Sequence, residues 1–248
     1  MKPVPAFFLL LILFAACGTK NQTGPWIGPF VKVDSVNPIM KPGDGKFRCP
    51  VRKTVIPWEN KDLFNPSAVI RDGKVHLIYR AEDTIGMYKG TSRLGLAVSS
   101  DGLHFTREPE PVFYPATDSL NIYEWEGGVE DPRIVLAPDG RYILTYTAYD
   151  GKIARLCLAT SSDLRNWKKY GPLFRGKYMD LWSKSGAIVA EHDGQNLVAK
   201  KIAAQGAEAL YYMYFGDTDL FMATSPDLLH WTLVEKDGAP LKVMGPRP

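Results

Sequence analysis

The stretch Glu126-Gly127-Gly128-Val129-Glu130-Asp131-Pro132-Arg133 gathers three carboxylates, one arginine and two glycines into eight residues. Glycines permit a sharp approach into a strand, and a proline biases the residue before it towards an extended conformation. Asp131 is therefore expected to be extended. A carboxyl in a narrow channel loses solvation, which raises its pKa and lets it donate a proton near neutrality. Glycosidic cleavage needs such an acid to protonate the departing oxygen. The competing reading is a fixed ion pair of Asp131 or Glu130 with Arg133 or Arg80.

The elements that must position these residues repeat along the chain. Leu94–Phe105 (LGLAVSSDGLHF), Leu156–Trp167 (LCLATSSDLRNW) and Leu220–Trp231 (LFMATSPDLLHW) align without gaps. Ala97, Ala159 and Ala223 mark one position, 62 and 64 residues apart, and an aromatic follows each eight residues later. Every copy reads as a strand, a Ser-Asp turn and a second strand. Upstream, Asp72-Gly73, Asp139-Gly140 and Asp193-Gly194 are tight-turn dipeptides expected to join the first two strands of each unit, in the third with an insertion before the second strand. No helical periodicity competes. Four antiparallel strands recurring at this spacing predict β-propeller blades, about three of them complete. Counting back from the turns puts Asn65-Pro66, Asp131-Pro132 and Lys184-Ser185 at the channel mouth of blades one, two and three. Residues 26–60, rich in proline, are expected to add a strand or two. Three blades do not close a ring, and Lys242–Pro248 reads as the middle of a connection. The chain is thus expected to be truncated, lacking roughly one and a half to two blades.

Four motifs in order resemble glycoside hydrolase family 130: Asn65-Pro66-Ser67-Ala68, Tyr79-Arg80-Ala81-Glu82-Asp83, Ser92-Arg93-Leu94-Gly95-Leu96-Ala97 and Gly127–Arg133. Tyr146-Thr147-Ala148-Tyr149 and Ala159-Thr160-Ser161 extend the resemblance. It implies an all-β, five-bladed propeller over residues 26–248 that acts on β-1,2- or β-1,4-linked mannosides, with Asp131 as general acid. It further implies that Asn65, Arg80 and Asp83 hold the sugar beside the cleaved bond, with Ser92 and Arg93 near the same rim. Glu130 lies inside the acid's motif, and Lys184 matches a family lysine, although Lys-Ser-Gly-Ala stands here where the phosphorylase-like form reads Lys-Asp-Ala-Ala.

Where the family's phosphorylases carry His-Arg-Pro, this chain has Tyr214-Phe215-Gly216-Asp217. Replacing a cation by Asp217 disfavours phosphate and favours water as the attacking group, so an inverting hydrolase is expected. The alternative is a phosphorylase using inorganic phosphate as co-substrate, with Arg175, Lys177 and Lys184 as an anion site. A second alternative is a glycan-binding lipoprotein without catalysis. Inversion by water needs a base, for which Glu124, Glu126 and Asp217 are candidates. Asp150 and Asp219 are expected to cap strands.

The N-terminus carries a separate signal. Lys2 precedes an apolar run, Phe7–Ala16, too short to span a bilayer comfortably, and Leu13-Phe14-Ala15-Ala16-Cys17 resembles a bacterial lipobox. Residues 1–16 are expected to be a lipoprotein signal peptide, Cys17 the lipidated residue and 17–25 a tether, anchoring the protein in the cell envelope on the periplasmic or outer-membrane side. A net charge of +3 over 248 residues, with no basic cluster, argues against nucleic acid. The expected partners are an oligosaccharide and, through the lipid, a membrane. Cys157, on a strand, is expected to be a buried free thiol. His76, His104, His192 and His230 show no metal-ligand spacing, so no metal and no cofactor are expected.

Overall fold

The computed structural model describes residues 31–203 and 206–246. The expected signal peptide, Cys17 and the tether lie outside the described residues. All the elements fall within the unit Ser35–Pro248. A hairpin of β1 (Lys46–Cys49) and β2 (Thr54–Pro57) leads into blade one: β3 (Asp62–Arg71), β4 (Lys74–Glu82), β5 (Ser92–Ser99) and β6 (Thr106–Arg107). A single helical turn, α1 (Asn121–Glu124), precedes blade two: β7 (Gly128–Leu136), β8 (Tyr142–Tyr149), β9 (Ala154–Ser161) and β10 (Lys168–Pro172). Blade three is built from β11 (Ala187–Ile188), β15 (Leu210–Gly216), β16 (Leu220–Ser225) and β17 (Thr232–Leu233). Into it are inserted β12 (Ala190–His192), β13 (Leu197–Ala199) and β14 (Lys201–Ile202); β18 (Glu235–Lys236), β19 (Ala239–Pro240) and β20 (Lys242–Met244) follow. The fold is the expected all-β propeller, with three blades among the described residues.

The repeat has a packing cause. Ala97 lies in the core between the first hairpin and blade one, with Phe47, Ile56, Trp58 and Tyr79. Ala159 lies between blades one and two beside Ile78, Leu96 and Tyr146, and Ala223 between blades two and three beside Leu156, Met213 and Phe215. Blades stacked face to face bury both sides of their middle strands, which is why β9 is buried at every residue. The Ser-Asp turns are closed by their own side chains. Ser99 Oγ accepts from Gly102 N at 2.8 Å and Asp101 Oδ1 from Leu103 N and His104 N at 2.8 Å; Ser161–Asp163 and Ser225–Asp227 repeat the arrangement. His104 and His230 pair with Asp101 and Asp227 in these turns. Cys49 and Cys157 are both buried and free.

Two expectations are corrected. Asp193-Gly194 does not join the first two strands of blade three; it turns the inserted β12–β13 hairpin. That hairpin ties blades together, since Asn196 exchanges hydrogen bonds with Ile70 N (2.7 Å) and Ile70 O (2.9 Å) in blade one while Val198 pairs with Leu136 in blade two. Lys242–Met244 is also no mid-connection, because it pairs with β16 along the edge of blade three.

Candidate active site

Asn65 and Asp131 occupy the same place in successive blades. Each sits where the pairing of an inner strand with its neighbour slips, between Phe64 and Ser67 and between Glu130 and Arg133. Both are left-handed, with φ of +48° and +50°, rather than extended as the following prolines predict. The bulge demands an extra residue turned out of the ladder, and Asn and Asp accept that conformation best among residues with a side chain. Ser185 has φ of +56° and is the third copy, one residue beyond the expected Lys184. Asn65, Asp131 and Ser185 line a cavity of about 650 Å³ together with Pro66, Pro132 and Leu197.

Around Asp131 the structure gathers groups from three blades. Asn65 Nδ2 donates to Asp131 Oδ1 at 2.7 Å, and Arg80 Nη1 donates to the same oxygen at 3.0 Å. Lys184 Nζ stands 3.6 Å from Asp131 Oδ2. Arg80 is the hub: its Nη2 donates to Glu130 Oε1 at 3.0 Å and Glu82 Oε1 at 2.6 Å, and its Nε to Ser92 Oγ at 2.9 Å. Its guanidinium lies 4.4 Å from the centroid of the Phe64 ring. The fixed ion pair weighed against catalysis thus exists, with Arg80; Arg133 is exposed and takes no part in it.

The electrostatics separate the two adjacent carboxyls. Burial pushes Asp131 up, but the Asn65 hydrogen bond and the charges of Arg80 and Lys184 outweigh it and hold its carboxyl below the usual aspartate value. Burial pushes Glu130 up, and although Arg80 opposes this, the neighbouring Asp131 charge reinforces it, so Glu130 is net raised. The expected elevation thus falls on Glu130 and not, in the free site, on Asp131.

Several expected site residues lie elsewhere. Asp83 and Arg93 are each 0% exposed and bind one another at 2.7 Å, with Asp83 also accepting from Ile85 N and Thr91 N at 3.0 Å. They hold the β4–β5 loop and present nothing to a sugar. Asp150 and Arg155 form the matching pair in blade two, at 2.6 Å. Ser92 is buried and orients Arg80 and Glu82. Asp217 is exposed, beside Gly216, whose amide donates to Lys184 O at 2.9 Å; its carboxylate accepts from Trp182 Nε1 at 3.3 Å. Asp219 pairs with Lys242 at 2.7 Å.

Of the proposed bases, Glu124 is fully buried between Tyr146 and Lys169, and Glu126 pairs with Arg52 and accepts from Met87 N; neither lines the cavity. Lys177 turns to Glu235 at 3.1 Å, so the expected Arg175–Lys177–Lys184 anion site does not assemble. Sequence reasoning missed Glu82, Phe64 and Lys61, whose Nζ donates to Glu82 Oε2 at 2.8 Å. Glu82 was findable, since residues two apart on a strand share a face and Glu82 follows Arg80. Among the described residues no three His, Cys, Asp or Glu side chains cluster to hold a metal ion.

A family model described as beta-1,4-mannooligosaccharide phosphorylase matches residues 34–247. The chain belongs to glycoside hydrolase family 130. The family is one of five-bladed propellers, three of whose blades this chain supplies. Among curated family 130 relatives, the 1,2-beta-oligomannan phosphorylase of Thermoanaerobacter sp. (strain X514) is 35% identical over 181 residues, 70% of this chain and 53% of the relative. This chain therefore spans about half the length of that protein. A glycosyl hydrolase from Bacteroides ovatus of solved structure is 44% identical, with a TM-score of 0.82 over 89% of this chain and 62% of that one. A second solved structure, also 44% identical, has a TM-score of 0.83 over 92% of this chain and 65% of that one. It is described by the statement that the family of mannoside phosphorylases contains glycoside hydrolases that target beta-1,2 mannosidic linkages in Candida mannan.

Proposed function

We propose that this family 130 chain cleaves β-1,2-mannosidic bonds, with Asp131 delivering the proton to the departing oxygen. The observation that carries the proposal is one carboxylate of blade two in a cavity, held by Asn65 and Arg80 from blade one and approached by Lys184 from blade three. Such convergence fixes the acid to the precision that proton transfer requires. The β-1,2 linkage is common to the names of the oligomannan phosphorylase and the Candida mannan work. A bound sugar ring would cover Asp131 and strip its remaining water, moving its pKa from the depressed value of the free site towards the donor range.

The attacking group separates two readings. The curated relative and the family description are phosphorylases, and they favour phosphorolysis over the hydrolysis that the sequence put first. Arg80 and Lys184 are the cations present near Asp131 to receive phosphate. Hydrolysis is favoured by exposed Asp217, an acidic group beside the Lys184 backbone that repels phosphate and can order a water. Incubation with β-1,2-mannobiose, with and without phosphate, tests this. Mannose 1-phosphate formed only with phosphate supports the first reading, free mannose formed without it supports the second, and no product from either mixture overturns the proposal.

We also propose anchoring in the bacterial envelope by acylation at Cys17. A metabolically incorporated fatty-acid label lost in Cys17→Ser supports it, and a label retained there overturns it.

A further inference from the structure

Three aromatic rings run across the end of the blades where Asp131 sits. Tyr88 lies in the β4–β5 loop, Tyr149 ends β8, and Trp182 precedes β11. Their ring centroids are 6.1 Å apart for the first pair and 6.4 Å for the second. Tyr88 is 39% exposed and Trp182 47% exposed.

The rings are not loose. Glu126 accepts from Met87 N at 2.8 Å and pairs with Arg52, fixing the loop that carries Tyr88. Buried Arg155 binds Asp150 and Asp180, each at 2.6 Å, and so pins the chain beside Tyr149 and ahead of Trp182. Tyr149 packs on Gly127, where a Cβ would collide with its ring. Exposed rings on pinned loops bind with little ordering cost.

The row is also joined to the cleavage site along the chain. Gly127 begins the run that ends at Asp131, and Trp182 stands two residues before Lys184, which reaches Asp131. We infer that Tyr88, Tyr149 and Trp182 form a distal carbohydrate subsite for the sugar units of an oligomannoside beyond the cleaved bond. A pyranose has an apolar C–H face and a rim of hydroxyls. The exposed surfaces of Tyr88 and Trp182, tilted against Tyr149 by 48° and 69°, meet the first, while the Tyr hydroxyls and the Asp217 carboxylate take the second. This subsite rests on the mannoside reading above.

The test compares kcat/KM for β-1,2-mannotetraose and β-1,2-mannobiose in the native protein, Trp182→Ala, Tyr88→Ala and Trp182→Phe. The tetraose-to-biose ratio is expected to exceed one in the native protein, to fall about tenfold in either alanine variant and to be largely kept by Trp182→Phe. An unchanged ratio overturns the subsite while mannobiose cleavage leaves the function standing. Calorimetric titration of the tetraose into Asp131→Asn reads the subsite without turnover. Binding weakened about tenfold by adding Trp182→Ala supports it; unchanged binding, or none, overturns it.

Discussion

Asn65 Nδ2 and Asp131 Oδ1 meet at 2.7 Å across the junction of blades one and two, each presented by the same left-handed bulge before a proline. A repeated backbone device thus supplies an acid from one blade and the donor that holds it from the next. Held strain of this kind belongs to sites that must be preorganised.

Removing the donor should move the acid. Asn65→Gly keeps the left-handed backbone and deletes the hydrogen bond, so the Asp131 pKa rises and the high-pH limb of kcat/KM shifts to higher pH. The linked stability follows the same sign. A depressed aspartate stabilises the fold above its ordinary value of 3.8, and that contribution is lost as pH falls through the folded value. Urea melts should therefore show the cost of Asn65→Gly at pH 7 and a smaller cost near pH 3.

Arg93 and Arg80 should separate stability from activity. Arg93→Met leaves Asp83 buried without its partner and is expected to cost about 3–5 kcal/mol in a denaturant melt. Arg80→Met is expected to lower kcat/KM about 100-fold or more, because the hub that positions Asp131 is lost.

Lys169→Met should act through Glu124. Burial already raises the Glu124 carboxyl, against the opposing Lys169 charge. Without Lys169 it rises further, so ionisation is disfavoured in the folded state and stability falls as pH rises through that window. The variant is expected to lose about 3–5 kcal/mol at pH 8 and distinctly less at pH 5.

Gly128 has φ of +109°, and a Cβ there would strike the Ser92 backbone at the junction of blades one and two. Gly128→Ala is expected to cost more than about 3 kcal/mol. Gly140→Ala, at φ of +84° with open space around it, is expected to cost about 1 kcal/mol.

The blades were legible because their signal is local and repeated. Ala97 packs in the core against the first hairpin, Ala159 and Ala223 in the cores between successive blades, and the Ser-Asp turns close on themselves. Asn65 and Asp131 were legible as residues before prolines at matching places. Their backbone was not, since the proline bias is a local preference that the bulge overrides. Asp83 and Arg93 were placed at the sugar by the family resemblance alone, whereas the bond that buries them joins residues on opposite sides of a loop, a pairing no local pattern announces. Asp193-Gly194 misled because a tight turn serves an insertion as well as a blade.

The most direct test of the central claim is turnover of β-1,2-mannobiose by the native protein and by Asp131→Asn, with phosphate present and product mannose and mannose 1-phosphate both measured. With Asp131 as the proton donor, native turnover should fall about 10²–10⁴-fold in the variant while calorimetric binding of the sugar persists. Equal turnover in the two proteins would contradict the assignment of Asp131.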